Sequence, residues 1–224
     1  EKFIGNTSSI LINGTTSDYI KVEGTPALAL GDQPWQVETW WMTADATTTG
    51  QTILSGDDYH WGLLYKYGGG TGDVPDILLD LGQGSSWNIA SERRFSTGVI
   101  KSNTWHHVVL NWDKANYRTY VDGILVDSLA STTAIATTDT RFFMGLWGNE
   151  SAFGSETVFH DETRILTGVK DDPQIKWTHT QTAGAGNKDA YDVHGWRAHG
   201  HEFSDDNATS LLVHGDSQID DIAD

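Results

Sequence analysis

The sequence predicts an all-β protein: a two-sheet antiparallel sandwich of jelly-roll type with a C-terminal appendage. Short runs rich in Trp, Val, Ile and Thr recur every ten to twenty residues, with Gly, Asn or Asp between them, which is the spacing of a sandwich. Several runs alternate apolar and polar residues with period two, as half-buried strands do. No strand–helix–strand alternation occurs, so a parallel doubly wound sheet is set aside.

In chain order the expected strands begin with residues 9–12 and 19–22. Residues 35–42 form the clearest one: Trp35, Val37, Thr39 and Trp41 fall on one face, Gln36, Glu38, Trp40 and Met42 on the other. The first set is expected to face the core and the second to be a polar face that carries Trp40. Residues 52–55, 61–65 and 77–81 follow. Residues 105–112 repeat the alternation, with His107, Val109 and Asn111 set against His106, Val108, Leu110 and Trp112. Residues 118–121 and 124–126 flank Asp122-Gly123, and both positions of a two-residue hairpin turn need positive φ, so this dipeptide marks a hairpin. Residues 141–146 and 158–166 complete the main set.

The chain has 224 residues, with 14 Lys plus Arg against 31 Asp plus Glu, a formal charge of −17, ten Trp and no Cys. That length allows one large domain with an appendage. Nucleic-acid binding rests on cationic neutralisation of phosphates, which this charge opposes. The lack of Cys removes disulfides, thiol catalysis and thiolate zinc sites, and no apolar run approaches the ~18–20 residues that span a bilayer. Texture changes near residues 169–173. Residues 1–170 carry −9, whereas residues 171–224 carry −8 and five of the nine His. The expected division is therefore a sandwich over 1–170 and an acidic, His-rich segment over 171–224, in which 211–214 is the clear apolar strand.

Four motifs in order resemble concanavalin A-like, laminin G-type domains. They are the opening Lys2-Phe3-Ile4-Gly5 with residues 9–14 and 18–22, and then Trp35-Gln36-Val37-Glu38-Thr39-Trp40-Trp41. Trp105-His106-His107 with Tyr120-Val121-Asp122-Gly123 is the third. Met144-Gly145 with His160-Asp161-Glu162-Thr163-Arg164-Ile165 is the last. Related phage and bacterial surface domains open on a short Leu-Leu-x-His strand that is missing at the front here, while Leu211-Leu212-Val213-His214 resembles it. That segment either folds back to complete this sandwich or begins a following repeat; the edge-strand argument leans toward the first.

The resemblance implies glycan recognition. Enzymes of this fold use a strand-borne Glu-x-Asp-x-x-Glu or Glu-x-Asp-x-Glu, spacings that no Glu here provides. Tyr65-Lys66-Tyr67-Gly68 matches one lyase strand, but its Gln-x-His partner is absent. A non-catalytic module is therefore expected. Asp57, Asp58, Asp73 and Asp76 read as solvated loop residues, and Gly68-Gly69-Gly70 and Gly184-Ala185-Gly186 lack the rest of a phosphate loop. Sugar C–H faces stack on rings, and Trp40, Trp61, Trp87 and Trp147 are the expected ligand aromatics, with Asn149 and Glu150 as polar partners.

Calcium is the cofactor the resemblance implies, held by Asn149 and Glu150 in a loop after Trp147, or by Asp161 on its strand. The facing loop, residues 43–51, offers only Asp45. His199 and His201 fall on one face if extended, the geometry of a transition-metal clip similar to that of some trimeric tail-fibre needles. His107 is expected to be structural. The sequons at Asn6, Asn13, Asn149 and Asn207 matter only in a secretory setting. The expected role is a carbohydrate-binding or adhesion module of an extracellular or virion protein such as a phage tail fibre. The expected partner is a cell-surface glycan, with no nucleic acid, no membrane insertion and a homo-oligomer, a trimer in a fibre. The alternatives are a structural oligomerisation module and, further off, a depolymerase.

Overall fold

A computed structural model describes residues 10–13, 19–22, 30–46, 51–67, 75–96, 100–136, 138, 141–148, 157–169, 175, 209–213 and 219–220. The strands are β1 (Ile10–Ile12), β2 (Ile20–Val22), β3 (Trp35–Thr43), β4 (Gln51–Ser55), β5 (Trp61–Tyr67), β6 (Pro75–Leu81) and β7 (Ala90–Ser96). After them come β8 (His106–Trp112), β9 (Asn116–Val121), β10 (Ile124–Ala130), β11 (Phe142–Met144), β12 (Val158–Thr167), β13 (Thr209–Val213) and β14 (Ile219–Asp220). They form an eight-stranded sheet in the order β10-β9-β8-β3-β12-β13-β14, with β1 also on β12, and a six-stranded sheet in the order β2-β11-β4-β5-β6-β7. Pairing is antiparallel throughout.

The two sheets close on one core. From the larger sheet come Trp35, Val37, Trp41, Val108, Leu110, Trp112 and Ile165; from the smaller, Leu54, Trp61, Leu63, Ile77, Leu79, Phe142 and Met144. On β3, β5, β6, β8 and β11 these fall at alternate positions, as the pleat requires. Trp35 packs on Trp61 with ring centroids 6.0 Å apart and edge-on to Tyr117 at 6.1 Å, so aromatic contacts bridge the layers. The Asp122–Gly123 turn has φ of 52° and 74°, the left-handed pair that its hairpin demands.

Two features differ from the sequence reading. The polar face of β3 is not a solvent face: Gln36, Glu38 and Trp40 are 0% exposed, as are His107 and Asn111 beside them on β8. Trp40, Met42 and Trp105 make a second apolar cluster, and Val109, Tyr120 and Ile175 a third. Alternation tells which side a residue faces, not what covers that side. The second difference is β7, whose Ser91-Glu92-Arg93-Arg94 run carries no apolar alternation. It lies at the edge of the six-stranded sheet, where charged side chains discourage further pairing. Its Arg93 reaches the edge strand of the other sheet, Nε donating to Asp127 Oδ2 at 2.7 Å and Nη2 to Oδ1 at 2.8 Å. That bidentate pair clasps one open side of the sandwich.

Candidate functional site

Three turns at one end of the six-stranded sheet bring aromatic side chains together: residues 56–60 between β4 and β5, 82–89 between β6 and β7, and 145–148 after β11. Backbone bonds tie the first two, Gly82 N–H donating to His60 O at 2.8 Å and Gly84 N–H to Tyr59 O at 3.0 Å. The third packs so closely that a Cβ on Gly148 would strike the backbone of Asp57 and Asp58. Arg141 Nε donates to Asp57 Oδ2 at 2.9 Å, and its Nη2 engages Oδ1. The same Asp57 Oδ1 accepts the Asp58 N–H at 2.8 Å. Asp57 is therefore not a solvated loop carboxylate: it fixes the turn in which Tyr59 holds a left-handed φ of 61°.

The result is a row of three rings. Tyr59 and Trp87 have centroids 5.3 Å apart, and Trp87 and Trp147 5.2 Å apart, each pair tilted by 49°. Tyr59 is 37% exposed, and Trp87 and Trp147 are half-buried. Around them Gln83, Ser85, Ser86 and Asn88 are exposed. Asn88 and Gln83 brace each other, Asn88 Nδ2 donating to Gln83 Oε1 at 2.9 Å and accepting the Gln83 N–H at Oδ1 at 3.1 Å.

Trp147 owes its place to a glycine. Phe143, Ser55, Gly62 and Asp80 are successive cross-strand partners on β11, β4, β5 and β6, and a Cβ on Gly62 would run into the Trp147 ring. The indole therefore lies over the bare backbone of β5, and Ser55 Oγ holds the preceding residue by donating to Leu146 O at 2.9 Å. Asp80, next in that row, is 6% exposed. Burial pushes its carboxyl up and the nearby Glu92 carboxylate adds to this, while the Glu92 N–H that donates to Oδ1 pulls it down. Asp76 is also buried, at 5% exposure, and thus is no loop residue. Gly62→Val is expected to lose about 1–3 kcal/mol, the usual range for overpacking. In the Trp147→Ala background most of that loss should vanish, a coupling that urea denaturation of the four proteins reads directly.

Of the residues singled out in the sequence, Trp87 and Trp147 come together in this row. Trp40 and Trp61 do not: at 0% and 2% exposure they offer a ligand no ring face. Trp40 packs on the His107 ring, centroids 5.3 Å apart, and Trp61 lies in the core against Trp35 and Phe142. Asn149, Glu150, His199 and His201 lie outside the described residues. Asp161 sits on the other sheet, 3% exposed, with Oδ1 accepting the Glu162 N–H at 2.9 Å. Its carboxylate braces the β12 bulge. Among the described residues no three His, Asp or Glu side chains group to hold a metal. Tyr59, Gly62 and Asp80 escaped the sequence reading; the Gly56-Asp57-Asp58-Tyr59 turn between two apolar runs was the available signal.

What the row can do chemically is hold a ligand with flat apolar faces and hydroxyl edges: rings to stack on, amides and hydroxyls to bond to. Among solved structures the chain resembles the receptor-binding domain of a botulinum neurotoxin C/D mosaic serotype (TM-score 0.60, 13% identity, 80% of this chain and 44% of that one). It also resembles the botulinum neurotoxin serotype D ligand binding domain, solved in complex with N-acetylneuraminic acid (TM-score 0.58, 14% identity, 80% and 43%). A third is the binding domain of Paraclostridial Mosquitocidal Protein 1 (TM-score 0.57, 12% identity, 77% and 43%). The chain thus spans less than half the length of these proteins, and at such identities the likeness is one of fold. No curated protein matches the chain. The laminin G family model described as concanavalin A-like lectin/glucanases superfamily matches residues 13–176, the stretch that holds β2 to β12 and the aromatic row, and the chain belongs to that family.

Proposed function

We propose that this protein is a non-catalytic carbohydrate-binding module, and that the Tyr59–Trp87–Trp147 row is its glycan site. The carrying observation is that the three rings are assembled and braced before any ligand arrives, at the mouth of three turns fixed by the Arg141–Asp57 pair and by backbone bonds. Preorganisation of this kind spares a ligand the cost of ordering the loops. The lectin-like fold supports the reading, and the acidic chain favours neutral glycans over polyanions. Asn149 and Glu150 follow Trp147 by two and three positions, so they are the residues through which calcium would join the site. The biological setting we favour is an extracellular or virion surface protein, such as a phage tail fibre that adheres to cell-surface glycans.

A glycan array probed with the full chain, with calcium and with EDTA, tests the proposal. Once a ligand is found, Trp147→Ala and Trp87→Ala should each weaken it by about 10- to 100-fold, equivalent to ~1.4–2.8 kcal/mol, in the range of aromatic hot spots. Trp61→Phe, a change inside the core, should leave the affinity of the folded protein unaltered. Undiminished binding after both surface indoles are removed would place the site elsewhere.

A further inference from the structure

The strand Thr209–Val213 reaches its seat from far along the chain. Forty-one residues separate Thr167, the last of β12, from Thr209, the first of β13. The edge of β12 that receives it is shared between two strands. β1 pairs with Val158, Phe159 and His160, whereas β13 pairs with Thr163, Arg164, Ile165 and Leu166. Between the two halves lies the bulge in which Glu162 holds a φ of 47°. Without β13, the second half of this edge would present unpaired backbone groups, the template on which another strand adds.

In its sheet β13 is flanked by β12 and by β14, its hairpin partner through Leu212↔Asp220 and Val213↔Ile219. An identical hairpin from a second copy would make the same backbone pairs. Exchange of identical elements changes no contact, which makes it a low-cost route to association. Reach does not forbid it. Even with Ile175 held against Val109 and Tyr120, the thirty-three residues from 176 to 208 span at most on the order of 115 Å when extended, against a radius of gyration of about 17 Å for a compact chain of this length.

We propose that the Thr163–Leu166 edge of β12 is a strand-acceptor site, and that two copies of this chain associate by trading their β13–β14 hairpins across it. Concentration decides between the two seatings. A strand on the same chain competes at an effective concentration on the order of millimolar, so each chain fills its own site when dilute and exchanges when crowded or held side by side.

The absence of cysteine from the chain makes the test direct. Thr163 and Val213 are Cα partners in the register, and antiparallel partners lie within disulfide reach. Full-length Thr163→Cys and full-length Val213→Cys are mixed, co-refolded at about 1 mM and at about 1 µM chain, bracketing the effective concentration, then oxidised and run on non-reducing gels. The expected result is a mixed covalent dimer at the higher concentration, reduced at least tenfold at the lower one, while the double variant refolded dilute closes into a monomer. A double variant that closes, beside a mixture that yields no dimer at either concentration, overturns exchange. Failure of a folded double variant to close overturns the site itself. Because Thr163 Oγ1 also bonds Thr39 Oγ1 at 2.7 Å, the Leu166→Cys and Thr209→Cys pair, at the other end of the register, repeats the test should Thr163→Cys not fold.

Discussion

Arg164→Met is expected to destabilise the folded chain by about 3–5 kcal/mol, the cost of leaving one member of a buried ion pair alone. Arg164 is 3% exposed and Glu38 0%. They are Cα partners across β12 and β3, with Nε donating to Glu38 Oε1 at 2.9 Å and Nη2 engaging the same oxygen. His107 Nε2 lies 3.3 Å from Glu38 Oε2, and the Trp40 ring packs on that histidine. Removing the guanidinium strands a carboxylate in a place water does not reach. A surface pair of the same geometry would be worth at most about 1 kcal/mol, so the magnitude itself tests the burial. Urea denaturation of wild type, Arg164→Met, Glu38→Gln and the double variant gives the full cycle. The double variant should recover much of the single loss, because it removes the stranded charge together with its partner. Glycan affinity of the folded variants should not move, since this network lies on the far side of the core from the aromatic row. A loss below about 1 kcal/mol would mean that the pair is solvated.

That network also shows where sequence reading stops. Period-two alternation in residues 35–42 and 105–112 separated two faces correctly, and Trp35, Val37, Trp41, Val108, Leu110 and Trp112 line the core as expected. Alternation says nothing about a covering layer, so the face of Gln36 and Glu38 was read as polar with no sign of its burial, and Trp40 was drawn into the ligand set with them. The Asp122-Gly123 hairpin was legible because its turn chemistry is local. β7 was not, because an edge strand is selected for charge and for reach to Asp127 rather than for an apolar stripe. At the site, Trp87 and Trp147 stood out by their Gly-rich surroundings. Their partnership with Tyr59 depends on which turns the sheet order places side by side, and the role of Gly62 depends on a ring 85 positions away in sequence. Such facts belong to topology, which single-strand patterns do not encode.

Acid should weaken the fold through one histidine. His160 is 0% exposed, its Cα partners are Trp41 on β3 and Ile10 on β1, and among the described residues neither ring nitrogen finds a hydrogen-bond partner. Burial alone pushes its pKa down, from 6.5 to about 3. The folded chain thus keeps this imidazole neutral while the unfolded chain protonates it below about 6.5. Its contribution to stability is complete above that pH and is lost as pH falls toward 3, at a slope near 1.4 kcal/mol per unit and on the order of 4–5 kcal/mol in all. Asp80 works the other way. Its carboxyl is held above 3.8 in the fold, so near the acid end of the window the folded chain binds the extra proton and stability rises as pH falls. Comparing His160→Leu with wild type by urea midpoint between pH 7 and pH 4 isolates the histidine, because Asp80 is common to both. The variant should lose stability at neutral pH through altered packing yet show a much flatter acid limb, so that the two curves converge. Parallel curves would mean that His160 takes up its proton in the fold as readily as in the unfolded chain, against the burial of its ring between β1 and β3.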